Sequence, residues 1–169
     1  MPAPVRYRHI DSPVGPLLIA GSDAGLHLIE FHAPRHPMAR CADWEEGEHP
    51  VLAATQAQLA RYFDGRLQAF DLPLAPQGTP FQREVWFALG GIPFGQTISY
   101  AQLAARVGRP TATRAVGAAN GRNRLPIVLP CHRVIGADGG LTGFGGGLPT
   151  KQFLLRLEGA LPGNDDLFG

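Results

Sequence analysis

Two helix-start signals constrain the fold of this chain more than any other feature of the sequence. At residues 79–82, and again at 99–102, a hydroxyl residue precedes a glutamine by three positions, which is the capping-box pattern. Pro80 strengthens the first signal because proline suits the first helical position. The first helix is predicted to end near Leu89, before a glycine-containing turn. The second is predicted to end where Gly-Arg-Pro interrupts it at residues 108–110.

A third helix is predicted to start at Thr111 or Thr113, either of which can cap it, and to end near Asn120-Gly121. The second and third helices, joined by a tight turn, have the pattern of a helix-turn-helix. The third helix carries one long cation, Arg114, among very small side chains. Small side chains let a backbone approach another surface closely, but they also allow close packing in a core.

The first half of the chain is predicted to be a small α/β unit. Apolar runs indicate short strands at 5–10, 16–20 and 26–31, with a hairpin turn at 23–25. Residues 32–49 are predicted to be a loop, 51–63 a helix and 72–78 a linker. The sequence therefore predicts two domains, residues 1–75 and 76–169.

The sequence Pro-Cys-His-Arg at residues 130–133 points to chemistry. A neighbouring base and cation can lower the pKa of a thiol, so we expect Cys131 to be activated. A buried structural cysteine remains the alternative reading of this motif alone. The other cysteine is Cys41, and two cysteines do not make a disulfide framework. A reducing cytosol is expected, and no apolar run approaches the roughly 20 residues that span a membrane.

The charge distribution favours a phosphate-bearing partner although the net charge is only +1. Ten of the fourteen acidic residues lie at or before Glu84, and no other acidic residue precedes Asp138. Six arginines lie between those two positions, which fits binding of nucleic acid by one face. An ordinary solvated surface is the alternative.

The last sixty residues add a glycine-rich segment and a final helix. Residues 136–147 can approach a ligand closely, with Phe144 as an aromatic wall, or can be a flexible connector. A helix is predicted at 149–157, with Phe153, Leu154 and Leu157 on its apolar side and Glu158 at its end.

Together these motifs resemble the 6-O-alkylguanine-DNA alkyltransferases, also called methylated-DNA–protein-cysteine S-methyltransferases. The matching pieces are Pro-Phe-Gln-x-x-Val-Trp from Pro80, Ile-Ser-Tyr from Ile98, Arg-Ala-Val-Gly from Arg114, Asn123, Pro-Cys-His-Arg-Val from Pro130, the loop around Gly146, and Glu158. The resemblance covers about half the chain and implies an α+β fold. That fold is a small ribonuclease-H-like α/β unit with a short antiparallel sheet, followed by a mostly helical, winged-helix-like domain carrying the helix-turn-helix.

The resemblance implies DNA repair by irreversible transfer of an alkyl group from the 6-oxygen of guanine, and from the 4-oxygen of thymine, to Cys131. The reaction would need no cofactor and would occur once per protein. His132 would deprotonate Cys131 through a water, and Glu158 would orient His132. Asn123 would brace the turn before the active site. Tyr100 would donate a proton to guanine N3 and help to turn the nucleotide outward.

The implied partner is double-stranded DNA containing alkylated bases, bound through the minor groove with the lesion flipped out of the stack. Arg114 would fill the vacated space. The other residues expected at DNA are Tyr100, Thr113, Ala115, Ala118, Ala119, Asn120, Arg122 and Arg124. The residues expected around the substrate are Val134, Phe144, Gly145 and Gly146. We expect a cytoplasmic monomer with no membrane association.

Three departures from the family pattern bear on the site. Arg124 stands where proline is common, Phe144 replaces a tyrosine, and Gly145 replaces a serine, which predicts acceptance of larger alkyl groups. Some members hold zinc through two cysteines and two histidines of the N-terminal part. Here that part has one cysteine and scattered histidines, so we expect no metal. The histidines are His9, His27, His32, His36 and His49.

The main alternative is a non-catalytic, alkyltransferase-like lesion-binding protein, in which the nucleophile is replaced. Cys131 argues against it. A cysteine hydrolase built on Cys131, His132 and Glu158 would leave the arginine-bearing helix unexplained, and a transcriptional helix-turn-helix module would need sequence-specific binding to undamaged DNA.

Overall fold

The structure is a computed structural model that describes residues 4–34, 43–141 and 144–161 of the 169-residue chain. Its N-terminal half is a four-stranded sheet with one helix. The elements are β1 (Arg6–Ile10), β2 (Leu17–Ser22), β3 (Gly25–Phe31), β4 (Glu45–Glu46) and α1 (Pro50–Phe63). The strand order is β3-β2-β1-β4. β1, β2 and β3 are antiparallel neighbours, whereas β4 pairs parallel to β1.

Local chemistry explains this half. Every residue of β2 is buried, as expected for the central position between two neighbours. The predicted hairpin joins β2 to β3 through Asp23 and Ala24. β4 corrects the prediction of a loop over 32–49. The loop prediction failed because a two-residue strand carries no hydrophobic alternation, and residues 35–42 of that range lie outside the described residues.

The C-terminal half is mostly helical. Its elements are α2 (Pro80–Leu89), β5 (Ile98–Ser99), α3 (Tyr100–Arg106), α4 (Thr113–Gly121), a one-turn 3-10 helix (Cys131–Arg133), β6 (Val134–Ile135) and α5 (Leu148–Leu157). β5 and β6 form a small parallel pair. α3 and α4 pack against each other across a turn, as the helix-turn-helix prediction requires.

Both predicted capping boxes are present, with the reciprocal bonds of Thr79 with Gln82 and of Ser99 with Gln102. The predicted threonine cap of α4 is wrong. Its N-cap is Ala112, and no side chain caps the helix. The apolar side of α5 also differs from prediction, because Phe153 is 37% exposed whereas Leu154 and Leu155 are fully buried.

One hydrophobic core runs through both halves. The segment predicted as a linker is fixed to β3, since Leu26 N–H donates to Pro73 O at 2.8 Å and Ala75 N–H donates to Leu26 O at 2.8 Å. The mixed α+β fold, with a small N-terminal sheet and a helical C-terminal part, is confirmed, while the boundary after residue 75 stays a prediction. Across the described ranges, no helix is both long and apolar enough to cross a membrane.

Candidate active site

Cys131 follows a turn that Asn123 braces, and its side chain is buried. Asn123 lies before this turn, and its Nδ2 donates to Leu129 O at 2.7 Å while its Oδ1 accepts from Leu125 N–H at 3.0 Å. Ile127, inside the turn, has a φ of +75°, a conformation that β-branched residues rarely adopt. The bracing geometry predicted for Asn123 is therefore present.

Four buried residues, Glu158, Tyr62, His132 and Arg133, form what we call the Glu158 network. Oε2 of Glu158 accepts from Tyr62 Oη at 2.5 Å, His132 Nε2 at 2.7 Å and Arg133 Nη2 at 3.0 Å. Oε1 accepts from Arg133 Nε at 2.8 Å. Burial would raise the pKa of Glu158, but the hydrogen bonds donated by His132, Arg133 and Tyr62 lower it to about 2. Glu158 is therefore a carboxylate at neutral pH.

Two members of this network differ from the sequence interpretation. Tyr62 lies in the helix predicted over 51–63 and had no predicted role at the site. Burial and the neighbouring Glu158 raise its pKa, so it remains a neutral donor. Arg133 was expected to assist the thiol as a neighbouring cation. Its guanidinium instead binds Glu158 and the carbonyl of Ile92, because the 3-10 helix directs it into the network.

His132 belongs to the network and follows Cys131 directly in the sequence. Its side chain is fully buried, and burial lowers its pKa despite the hydrogen bond to Glu158. With Nε2–H donating to the carboxylate, Nδ1 carries the lone pair. Nδ1 has no hydrogen-bond partner in the part of the chain that the structure describes. His132 is therefore a neutral ring with an unused basic nitrogen.

Cys131 is buried, and this changes the expected chemistry of its thiol. Burial raises the pKa of Cys131 to about 11, and a hydrogen bond from Asn123 and the charge of Lys151 oppose that rise only in part. The expectation that sequence neighbours activate the thiol is therefore wrong for the resting protein. At neutral pH the group is therefore a protonated thiol.

Lys151 is a site residue that the sequence interpretation missed. It is fully buried, and its Nζ donates to Val134 O at 2.7 Å. Burial lowers its pKa to about 8, while the interaction with Cys131 opposes the change. A signal existed, because Lys151 lies three and four positions before Leu154 and Leu155 and so shares their buried helix face.

A cavity of about 30 Å³ lies beside Cys131. It is lined from four directions: β3, the end of α4, the turn after Asn123, and the glycine-rich segment. Phe144 and Gly145 line it as predicted. Val134 and Gly146 were also predicted around the substrate, but neither lines the cavity. The carbonyl of Val134 accepts from Lys151, and Gly146 lies behind the rings of Phe31 and Phe144.

The predicted DNA-binding residues fall into three groups by burial. Arg114, Ala115, Ala118 and Arg122 are exposed, and Thr113, Arg124 and Tyr100 are half-buried. Ala119 and Asn120 are buried, which corrects their prediction as surface contacts. Ala119 faces the core, with its carbonyl accepting from Trp86 Nε1 at 2.8 Å, and Asn120 lines the cavity.

Helix packing bears on the two interpretations of the small residues in α4. A Cβ added at Gly117 would lie 3.5 Å from Tyr100 Cδ1, which is an ordinary van der Waals distance, so the packing of α3 against α4 does not require glycine there. Ala118 is exposed and leaves the outer face of the helix smooth. Close approach to an external surface therefore remains the explanation for Ala118.

Two models of the 6-O-methylguanine DNA methyltransferase family match the chain: the ribonuclease-like domain over residues 5–76 and the DNA binding domain over residues 80–160. A methylated-DNA–protein-cysteine methyltransferase of Methanosarcina barkeri is 49% identical over 152 residues, covering 90% of this chain and 96% of the relative. One from Mycolicibacterium paratuberculosis is 48% identical, covering 91% and 92%. The chain belongs to the 6-O-methylguanine DNA methyltransferase family.

Solved structures agree with this membership. A Mycobacterium tuberculosis OGT in complex with DNA superposes with a TM-score of 0.84 at 44% identity, covering 92% of this chain and 93% of the other. The predictions of the family, of its class of methyltransferase and of a C-terminal DNA-binding domain are confirmed. In this member of the family, the predicted nucleophile, Cys131, lines the cavity.

No metal centre is formed by the described residues, among which no group of three or more histidine, cysteine, aspartate or glutamate side chains could hold an ion. His36 and Cys41, two of the residues considered for zinc, lie outside the described residues.

Proposed function

We propose that this protein repairs DNA by moving an alkyl group from the 6-oxygen of guanine to the sulfur of Cys131. One observation carries the proposal: the buried thiol lies at a cavity next in sequence to His132, which is held by an ionised Glu158 and retains an unpartnered basic nitrogen. This is a nucleophile, base and orienting acid in the order that covalent catalysis uses.

The proposed reaction is an in-line displacement at the alkyl carbon. His132 Nδ1 accepts the thiol proton through one water, and Glu158 stabilises the imidazolium. The sulfur attacks the alkyl carbon in line, so that an S–C bond forms as the C–O bond breaks. The electron pair leaves with the guanine, which takes up a proton at N3 from Tyr100. A thioether remains on Cys131, and the protein therefore acts once.

Burial of Cys131 fits this scheme. A thiol with a pKa of about 11 stays protonated and unreactive in the absence of substrate. Once deprotonated, the sulfur is poorly solvated in the cavity and attacks more readily. We propose the cytoplasm as the compartment, because a reducing environment keeps the thiol available.

The DNA side of the proposal uses the exposed face of α4. The reacting atom lies inside the duplex, so the nucleotide must leave the stack, at a cost of a few kcal/mol. Ala115 and Ala118 present a smooth surface to the minor groove, and Arg114 can occupy the space left in the stack. The 4-oxygen of alkylated thymine offers the same chemistry and is proposed as a second substrate.

The deciding experiment is intact and peptide mass spectrometry after mixing the protein with a duplex that carries one 6-O-methylguanine. We expect one added methyl group per protein, on Cys131, and none in Cys131→Ser. Cys41→Ser is the matched control and should react like the wild type. Methylation of Cys41, repeated turnover, or tight lesion binding without transfer would each contradict the proposal.

A second comparison tests the DNA-binding face. Arg114→Ala should slow transfer from duplex DNA but leave the reaction with the free base 6-O-methylguanine unchanged, since a free base needs no flipping. Arg109→Ala is the control, because Arg109 is also exposed but pairs with Glu84 at 3.5 Å. Equal losses with both substrates would show that Arg114 acts elsewhere than in the base stack.

A further inference from the structure

The N-terminal sheet contributes a wall to the cavity at Cys131. Ile29, Glu30 and Phe31, at the end of β3, line the same cavity as Cys131 and Phe144. These strand residues belong to the ribonuclease-like half, whose other residue at the site, Tyr62, binds Glu158 and does not line the cavity. Part of the substrate's surroundings therefore comes from the N-terminal half of the chain.

Two aromatic rings close this side of the cavity. Phe31 is 7% exposed and Phe144 is 5% exposed, and their ring centroids lie 5.5 Å apart at an interplanar angle of 58°. A Cβ added at Gly146 would lie 2.8 Å from Phe31 Cδ2 and 3.0 Å from Phe144 Cε2. The glycine thus permits the glycine-rich segment to pass directly behind the ring pair.

The ring of Phe31 is carried by a fixed element. Phe31 pairs with Leu17 in the register of β2 and β3. The N–H of Ile29, two residues earlier, donates to Arg124 O at 2.9 Å, which joins β3 to the turn that Asn123 braces. The sheet and the turn before Cys131 therefore hold the wall at a defined distance from the nucleophile.

We propose that Phe31 determines which alkyl groups Cys131 accepts. The inference rests on the proposed function. A cavity of about 30 Å³ has room for a methyl group, since roughly 10–15 Å³ of such space holds one water. An aromatic alkyl group such as benzyl requires the ring pair to move. Phe31 and Phe144 are the aromatic side chains among the described residues that line the cavity, whereas Gly145 contributes no side chain to it.

The test compares second-order rate constants for transfer from duplexes carrying 6-O-methylguanine or 6-O-benzylguanine. In Phe31→Ala, the ratio of the benzyl to the methyl rate should rise about tenfold, the scale at which pockets discriminate by size. Phe31→Leu should give a smaller rise with a native fold. The methyl rate is measured in each variant as well, so that a general loss of transfer is distinguished from a change in the ratio.

Leu28→Ala is the matched control. Leu28 is fully buried on β3, but it packs with Leu18 and Ala20 on the other face of the sheet. The inference would be overturned by an unchanged benzyl-to-methyl ratio in folded Phe31→Ala and Phe31→Leu, or by an equal rise of that ratio in Leu28→Ala. Either result would leave the proposed function standing as long as the wild type transfers the methyl group. Absence of transfer from either duplex to the wild type would overturn both.

Discussion

The Glu158 network and the cavity at Cys131 are neighbours that differ in how completely their polar atoms are paired. Glu158 accepts from three side chains, and all the partners are buried. At the cavity, Asn120 Oδ1 has no partner among the described residues, and the thiol of Cys131 is protonated. Within the network, His132 Nδ1 is the atom left without a partner among the described residues. Satisfied buried groups stabilise a fold, whereas unsatisfied ones are retained where a ligand or reaction uses them. The network therefore serves stability first, and the cavity serves reactivity.

The largest expected effect comes from removing the charge of Glu158. In Glu158→Gln, Arg133 remains buried without its anion, which costs about 3–5 kcal/mol of the free energy of unfolding. Urea denaturation at pH 7 measures the loss. Glu84→Gln, which removes an exposed carboxylate paired with Arg109, is the control and should change stability by less than about 1 kcal/mol. Similar losses in both variants would contradict the contrast.

Acid should weaken the network next. The folded pKa of Glu158, about 2, lies below its ordinary value of 4.5, so its contribution is complete above pH 4.5 and is lost as the pH falls toward 2. By pH 3 the loss from this group is about 2 kcal/mol. Unfolding free energies at pH 7 and pH 3 should differ more in the wild type than in Glu158→Gln. An equal difference would place the acid sensitivity in other groups.

Tyr62→Phe removes one donor and leaves the ring in place. Because hydrogen bonds to charged groups are stronger than neutral ones, we expect a loss of about 1.5 kcal/mol. Tyr7→Phe, on β1, is a control in which Glu158 keeps all its donors. Thermal and urea unfolding would measure the difference. An unchanged free energy of unfolding in Tyr62→Phe would mean that Arg133 and His132 satisfy the carboxylate by themselves.

Lys151→Met should show the opposite balance, with reactivity affected more than stability. Loss of the nearby cation raises the thiol pKa further, and one unit corresponds to about a tenfold slower transfer at pH 7. Raising the pH should restore the rate. Stability should change by less than about 1 kcal/mol, since methionine fills similar space without a buried charge. Gln152→Met is the control, and a slow rate independent of pH would argue for a packing defect.

Features that depend on residues close in sequence were predicted, whereas features that depend on distant residues were not. Helices α2 and α3 were predicted from capping boxes because both partners of each cap lie within four residues. The prediction of a threonine cap for α4 was wrong. The N-cap is Ala112, whose φ of −103° and ψ of 33° are not the extended backbone that a capping side chain uses.

Site residues with distant partners could not be found in this way. Tyr62 reaches Glu158 across 96 positions of the chain, and Phe31 meets Phe144 only after the two halves pack. The raised pKa of Cys131 has the same origin, because burial depends on the whole fold, whereas adjacency to His132 does not. His132 and Glu158 were recovered because the family resemblance supplied the long-range pairing that spacing alone omits.

The two glycines that follow Phe144 differ as positions for sequence change. A side chain at Gly145 meets no described atom within 4 Å, so this position can vary at little cost to folding. A side chain at Gly146 collides with both rings of the wall, so any variation there must be accompanied by a smaller residue at Phe31 or Phe144. Sequence change at Gly146 is therefore expected to be coupled to change at Phe144 in the same half of the chain or at Phe31 in the other half.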